Sequence, residues 1–121
     1  MRSITSFRQL ILWQKSMDLA VQTYQLARRL RRSEQDVLGY QIRKSAVSMP
    51  SNVAEGFSRH STAFYIQHLW TAHASGAELE TQLEIGRRID IVSERDAEDS
   101  SRMLIPESFR LKPETALRPD P

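Results

Sequence analysis

Cysteine is missing altogether from the 121 residues of this chain. Its absence removes disulfides, thiolate metal sites and cysteine nucleophiles, and it agrees with a reducing, cytoplasmic setting. Glycine is scarce, at four residues, and no glycine-rich phosphate loop is present. No apolar run approaches the roughly 20 residues that a membrane span requires, so no membrane partner is expected. The start, Met1 to Ser6, carries one basic residue but no apolar stretch or small-residue cleavage site behind it, unlike a secretory leader. Neither an alternating strand pattern nor an internal repeat occurs. Four of the five prolines fall between Pro106 and Pro121. Pro50 is therefore the only one within the periodic part of the chain.

What remains is helical. Trp13, Met17, Ala20, Tyr24 and Ala27 recur at spacings of four and three, with Leu12, Leu19, Leu26 and Leu30 widening the stripe, and predict a first helix over about 10–30. Ser33, followed by Glu34, Gln35 and Asp36, offers an N-cap and an acidic first turn for a second helix that runs to Gly56. Ser61 starts a third, in which Tyr65, Leu69, Ala72, Gly76, Leu79, Leu83 and Gly86 keep the same spacing. Ser93 caps a short fourth helix, Glu94 to Ile105, whose apolar residues are Ala97, Met103, Leu104 and Ile105. The fold class is all-α: an up-down four-helix bundle with a short or incomplete fourth helix. Residues 1–105 form the bundle domain, and 106–121 form a Pro-containing tail, expected to be extended or disordered.

Charge is divided along the chain. Residues 1–60 hold ten Lys/Arg against four Asp/Glu, a balance of +6, and residues 61–121 hold seven against eleven, a balance of −4. Such asymmetry arises when basic and acidic helices neutralise one another, or when one face is kept basic for an anionic partner. Arg28, Arg29, Arg31 and Arg32 cluster at the end of the first helix, where cations also oppose the helix dipole. With Arg43, Lys44 and Arg59 they form the candidate phosphate-binding set for RNA or DNA. Trp13, Tyr24 and Tyr65 fall on apolar stripes, so aromatic interleaving for base stacking is not expected.

The segment Gln41 to Gly56 stands apart. Pro50 within a helix lacks a backbone donor and crowds the carbonyl of Ala46, costing about 3 kcal/mol and predicting a bend. Ser48, Ser51 and Asn52 surround it with short side chains able to bond nearby backbone groups. Gly56 is placed to end the helix in a left-handed conformation. Ser48, Asn52 and Glu55 share one face and suggest a structural hydrogen-bond network, with Glu55 as the carboxylate for a buried role. From the helix register, Arg43 is expected to pair with Glu78 or Glu80 across to the third helix.

Phe7, Leu10, Trp13, Gln14, Lys15, Met17, Asp18, Leu19 and Ala20, then Gly39, Gln41, Ile42, Arg43, Ala46, Ser48, Pro50, Ser51, Asn52, Val53, Ala54, Glu55 and Gly56, and finally Ala74 to Leu83, carry a family likeness. In these residues the chain resembles the bacterial four-helix bundle, or 23S rRNA intervening sequence, proteins. It is similar also to the accessory variability determinant of diversity-generating retroelements. The likeness covers about residues 7–90. It implies an up-down bundle, a homopentamer and no established enzymatic activity. In the retroelement relatives a basic surface serves nucleic-acid and reverse-transcriptase binding.

Catalysis finds no support in the residues themselves. A hydrolase needs a nucleophile, a base oriented by a third group and an oxyanion site, and no such constellation is visible. His68 and His73 are five apart, about 140° around a helix, which does not make a metal-binding face. No metal, cofactor or catalytic residue is expected. The sequence therefore points to a non-enzymatic homo-oligomer associated with nucleic acid, or alternatively to a structural or protein-binding adaptor. A short fourth helix should leave apolar surface free for self-association.

Overall fold

The computed structural model describes residues 4–104. Four α-helices occupy them: α1 (Ile11–Arg28), α2 (Leu38–Ser58), α3 (Thr62–Arg88) and α4 (Glu94–Leu104), with single 3-10 turns at Phe7–Gln9 and Arg32–Glu34 and no strand among the described residues. The all-helical bundle with a short fourth helix is thus the fold observed. The proposed tail, 106–121, and Ile105 lie outside the described residues.

α3 follows its sequence pattern closely. Ser61 accepts a hydrogen bond from the backbone N–H of Phe64 as its N-cap, and all seven positions of the predicted stripe are buried. Ser93 likewise caps α4, accepting from the N–H of Asp96 at 3.1 Å. α1 departs from expectation. Its buried line is Ser16, Leu19, Ala20, Thr23, Leu26 and Ala27, whereas Met17 and Tyr24 reach the surface. Two hydroxyls explain the rotation. Ser16 donates to the Leu12 carbonyl and Thr23 to that of Leu19, so polar residues enter the core with their hydrogen bonds made inside their own helix.

α2 also begins and ends elsewhere. Ser33 lies in the 3-10 turn, and Val37 leads into the helix without a side-chain cap. The real closure of this corner is Gln35. Its amide donates to the carbonyls of Ala27, Arg28 and Leu30 at 2.7–3.2 Å, satisfying acceptors that the end of α1 leaves open. At the other end α2 continues to Ser58, and His60, at φ 52°, makes the left-handed exit. Gly56 therefore is not a cap. It is buried inside α2, and a Cβ there would lie 2.6 Å from the His68 Cβ. Glycine is needed for the close approach of α3.

Pro50 is buried within an α2 that runs uninterrupted from Leu38 to Ser58. It sits at a boundary between two apolar clusters. Met49, Leu79, Leu83, Ile42, Leu26 and Leu19 pack with Val92 and Ala97 at the end that α4 covers. Val53, Tyr65, Leu69 and Ala72 pack with Leu10, Leu12, Trp13 and Phe57 at the other. Each fully buried aliphatic side chain contributes about 1.5–3 kcal/mol. The first cluster has walls from four helices, the second only from α1, α2 and α3.

Candidate nucleic-acid interface

The seven cations of the candidate set do not form one patch. Arg28, Arg29, Arg31, Arg32, Lys44 and Arg59 are exposed, and Arg43 is half-buried. Arg59 stands at the α2–α3 turn, 16 residues or about 24 Å along the helix direction from Arg43. There it pairs with Glu55 at 3.5 Å and covers the ring of Phe64. Arg29 turns toward α4 and meets Asp96 at 3.1 Å, and Arg31 reaches the carbonyl of Asp90 at 3.4 Å. A run contiguous in sequence is thus divided in space.

Arg43 makes a different bond from the one expected. Its guanidinium donates to the Gln35 side-chain and backbone oxygens at 3.2 and 2.9 Å, and lies over the Tyr24 ring at 5.9 Å. Glu78 and Glu80 are exposed and form no ion pair among the described residues. The cause is rotational: position 43 faces the α1–α2 corner, not α3. Arg43 is consequently a structural residue that ties Gln35, and through it the end of α1, to α2.

Arg28, Arg32 and Lys44 meet no carboxylate among the described residues. They border a face built from both helices of the first hairpin. On α1, Met17, Val21, Tyr24 and Arg28 follow one another at spacings of four, three and four; on α2, Tyr40, Lys44 and Val47 do so at four and three, with Val37 just before the helix. Arg43, next to Lys44 on α2, lies over the Tyr24 ring of α1. Tyr24 is 40% exposed, Tyr40 50% and Val21 51%. Asp18 is the only acidic residue in α1 and Glu55 the only one in α2, and neither lies on these stripes. The expectation that aromatic residues would be confined to the core is therefore corrected at Tyr24. Tyr40 was missed, although its spacing from Lys44 and Val47 carried the signal.

The second hairpin has the opposite character. Glu84 binds both Arg87 and Arg88, at 2.7 and 2.9 Å, and hydrogen bonds from these two arginines pull its carboxyl down to about 2. Arg102 pairs with Asp99. Three of the hairpin's four cations are thus matched, and the fourth, Arg95, is exposed and meets no carboxylate among the described residues.

The central motif is a hydrogen-bond network, but its membership differs from the one expected. Ser48 and Ser75 hydroxyls meet at 2.8 Å across α2 and α3. Asn52 donates to the Ser48 carbonyl and hydroxyl, and its Oδ1 lies 3.1 Å from His68 Nδ1. That acceptor places a proton on Nδ1. Glu55 is exposed and paired with Arg59, so it does not have the buried role foreseen, and Ser51 is exposed outside the network. Ser75 and His68 come from α3, which spacing within α2 could not disclose. His73 packs edge-on against Trp70 on the outer surface, apart from His68. No group of three metal-ligating side chains occurs among the described residues, and no described helix is long and apolar enough to cross a membrane.

Residues 8–108 match the family model described as 23S rRNA-intervening sequence protein. The match extends through α4, beyond the residues that carry the likeness in the sequence. No curated protein matches the chain significantly.

Proposed function

The chain belongs to the 23S rRNA-intervening sequence protein family, and from that premise we propose that it is a non-enzymatic, homo-oligomeric bundle that associates with nucleic acid through the α1–α2 face. One observation carries the reading: Arg28, Arg32 and Lys44 are exposed without carboxylate partners among the described residues. Cations so placed are free to neutralise phosphates, which gives affinity without sequence selection. Self-association is assigned to the outside of α3, where Trp70, Ala74, Ala77, Thr81 and Ile85 form an exposed stripe at helical spacing. Five copies are what the family resemblance implies, and a cytoplasmic setting accords with the lack of cysteine.

The adaptor reading is favoured by one contact, Arg29 with Asp96, in which the basic and acidic parts of the chain neutralise each other. A salt series separates the two. Labelled RNA and duplex DNA should bind with a log-log slope of about −0.7 to −0.9 for each phosphate contacted. No detectable binding at about 50 mM salt would make the protein an adaptor.

A further inference from the structure

We propose that the α1–α2 face takes single-stranded nucleic acid in preference to duplex, with Tyr24 and Tyr40 as stacking platforms. This rests on the phosphate-binding reading above and names its substrate class. The argument starts from what the face contains besides charge. Met17, Val21 and Val47 are exposed on the same two stripes as the tyrosines, Arg28 and Lys44 stand on those stripes beside Tyr24 and Tyr40, and Arg32 lies in the turn between the helices. A duplex presents phosphates outward and keeps the flat surfaces of its bases stacked inside. It could use the cations and would leave the exposed rings and aliphatic side chains wet. A single strand presents both kinds of group, phosphates for the cations and base surfaces for rings and aliphatic side chains.

The two rings are suited to stacking. Both are close to half exposed, and Tyr24 is held from behind, because Arg43 lies over its ring while bonded to Gln35. An arginine fixed at the side of an aromatic ring limits the ring's motion, so little further ordering is needed when a base arrives. Charge favours this occupant: Arg28, Arg32 and Lys44 meet no carboxylate among the described residues, although Asp18 and Asp36 are exposed nearby, and a polyanion supplies the negative charge that these three cations lack. Because stacking tolerates every base, the face should show little preference among sequences.

Fluorescence anisotropy with labelled RNA and DNA strands of about 16 nucleotides, each alone and annealed to its complement, tests the proposal. The variants are Tyr24→Leu with Tyr40→Leu, the conservative Tyr24→Phe with Tyr40→Phe, and the charge variant Arg28→Ala, Arg32→Ala, Lys44→Ala. Wild type should bind single strands more tightly than duplex. Leucine should weaken single-strand binding by roughly 5- to 150-fold per ring with an unchanged salt slope and unchanged duplex affinity, and phenylalanine should keep it. Equal loss on both forms, or none, overturns the stacking role. So does a leucine variant that binds normally but loses its oligomeric state in sedimentation, which would assign the face to a second copy. Failure of the underlying phosphate reading looks different: the charge variant would then bind as wild type does, with the same salt slope.

Discussion

The two hairpins of this bundle share one core and have opposite electrostatics. α1 and α2 carry exposed cations with one acidic residue in each helix, whereas α3 and α4 hold carboxylates that engage Arg87, Arg88, Arg102 and, across the bundle, Arg29. A count of basic residues is therefore not a basic surface. Of four arginines within five positions at the end of α1, one is neutralised by α4, one is turned to a backbone carbonyl, and two remain without a carboxylate among the described residues.

Packing is the common ground, and disturbing it should have the largest effect. Leu79, fully buried in α3, faces the cluster that both hairpins share. Leu79→Ala should cost about 2–5 kcal/mol in urea unfolding, against a change within about 0.5 kcal/mol for the exposed Val21→Ala. Similar losses at the two sites would mean that the face on α1 is itself buried in solution. The next effect in size is at the close approach between the hairpins. Gly56→Ala would set a Cβ 2.6 Å from that of His68, and overpacking of this kind costs about 1–3 kcal/mol. Gly76→Ala meets only the flexible end of Met49, at 3.3 Å, and should be milder; the reverse order would contradict the packing described here.

The smallest effect sharpens the electrostatic contrast. Glu84, pulled from 4.5 to about 2 by Arg87 and Arg88, has a lowered folded-state pKa. Its contribution to stability is therefore complete above about 4.5 and disappears as pH falls through about 2. In thermal melts the difference between wild type and Glu84→Gln should shrink over that window. A difference independent of pH would show that the carboxylate is not engaged by the two arginines. Because the group is on the surface, salt should reduce the difference as well.

Helix number, the α3 stripe and the serine caps of α3 and α4, though not the one expected at Ser33, were legible in the sequence because each depends on spacing within one element. The buried line of α1 was not. Ser16 and Thr23 read as surface residues until their hydroxyls are seen bonded to carbonyls one turn back, and their burial is what turns Tyr24 outward. Arg43 failed for a related reason: axial register placed it near Glu78, but the direction of the side chain around the helix decides the partner. The network of Ser48 and Asn52 was foreseen in kind, yet its α3 members, Ser75 and His68, come from 16 to 27 residues away. The charge asymmetry was legible as a number, and only the positions of Asp96, Glu55 and Glu84 show where it is cancelled.

If the exposed, unmatched cations of the first hairpin carry nucleic-acid affinity, the matched cations of the second should contribute none. The decisive measurement is the slope of log affinity against log salt for two triple variants: Arg28→Ala, Arg32→Ala, Lys44→Ala on one side, and Arg87→Ala, Arg88→Ala, Arg102→Ala on the other. The first should lower the magnitude of the slope by about 2 to 3, which is about 0.7 to 0.9 for each phosphate no longer neutralised, and the second should leave it unchanged. Equal reductions, or a reduction only in the second variant, would overturn the assignment of affinity to the first hairpin.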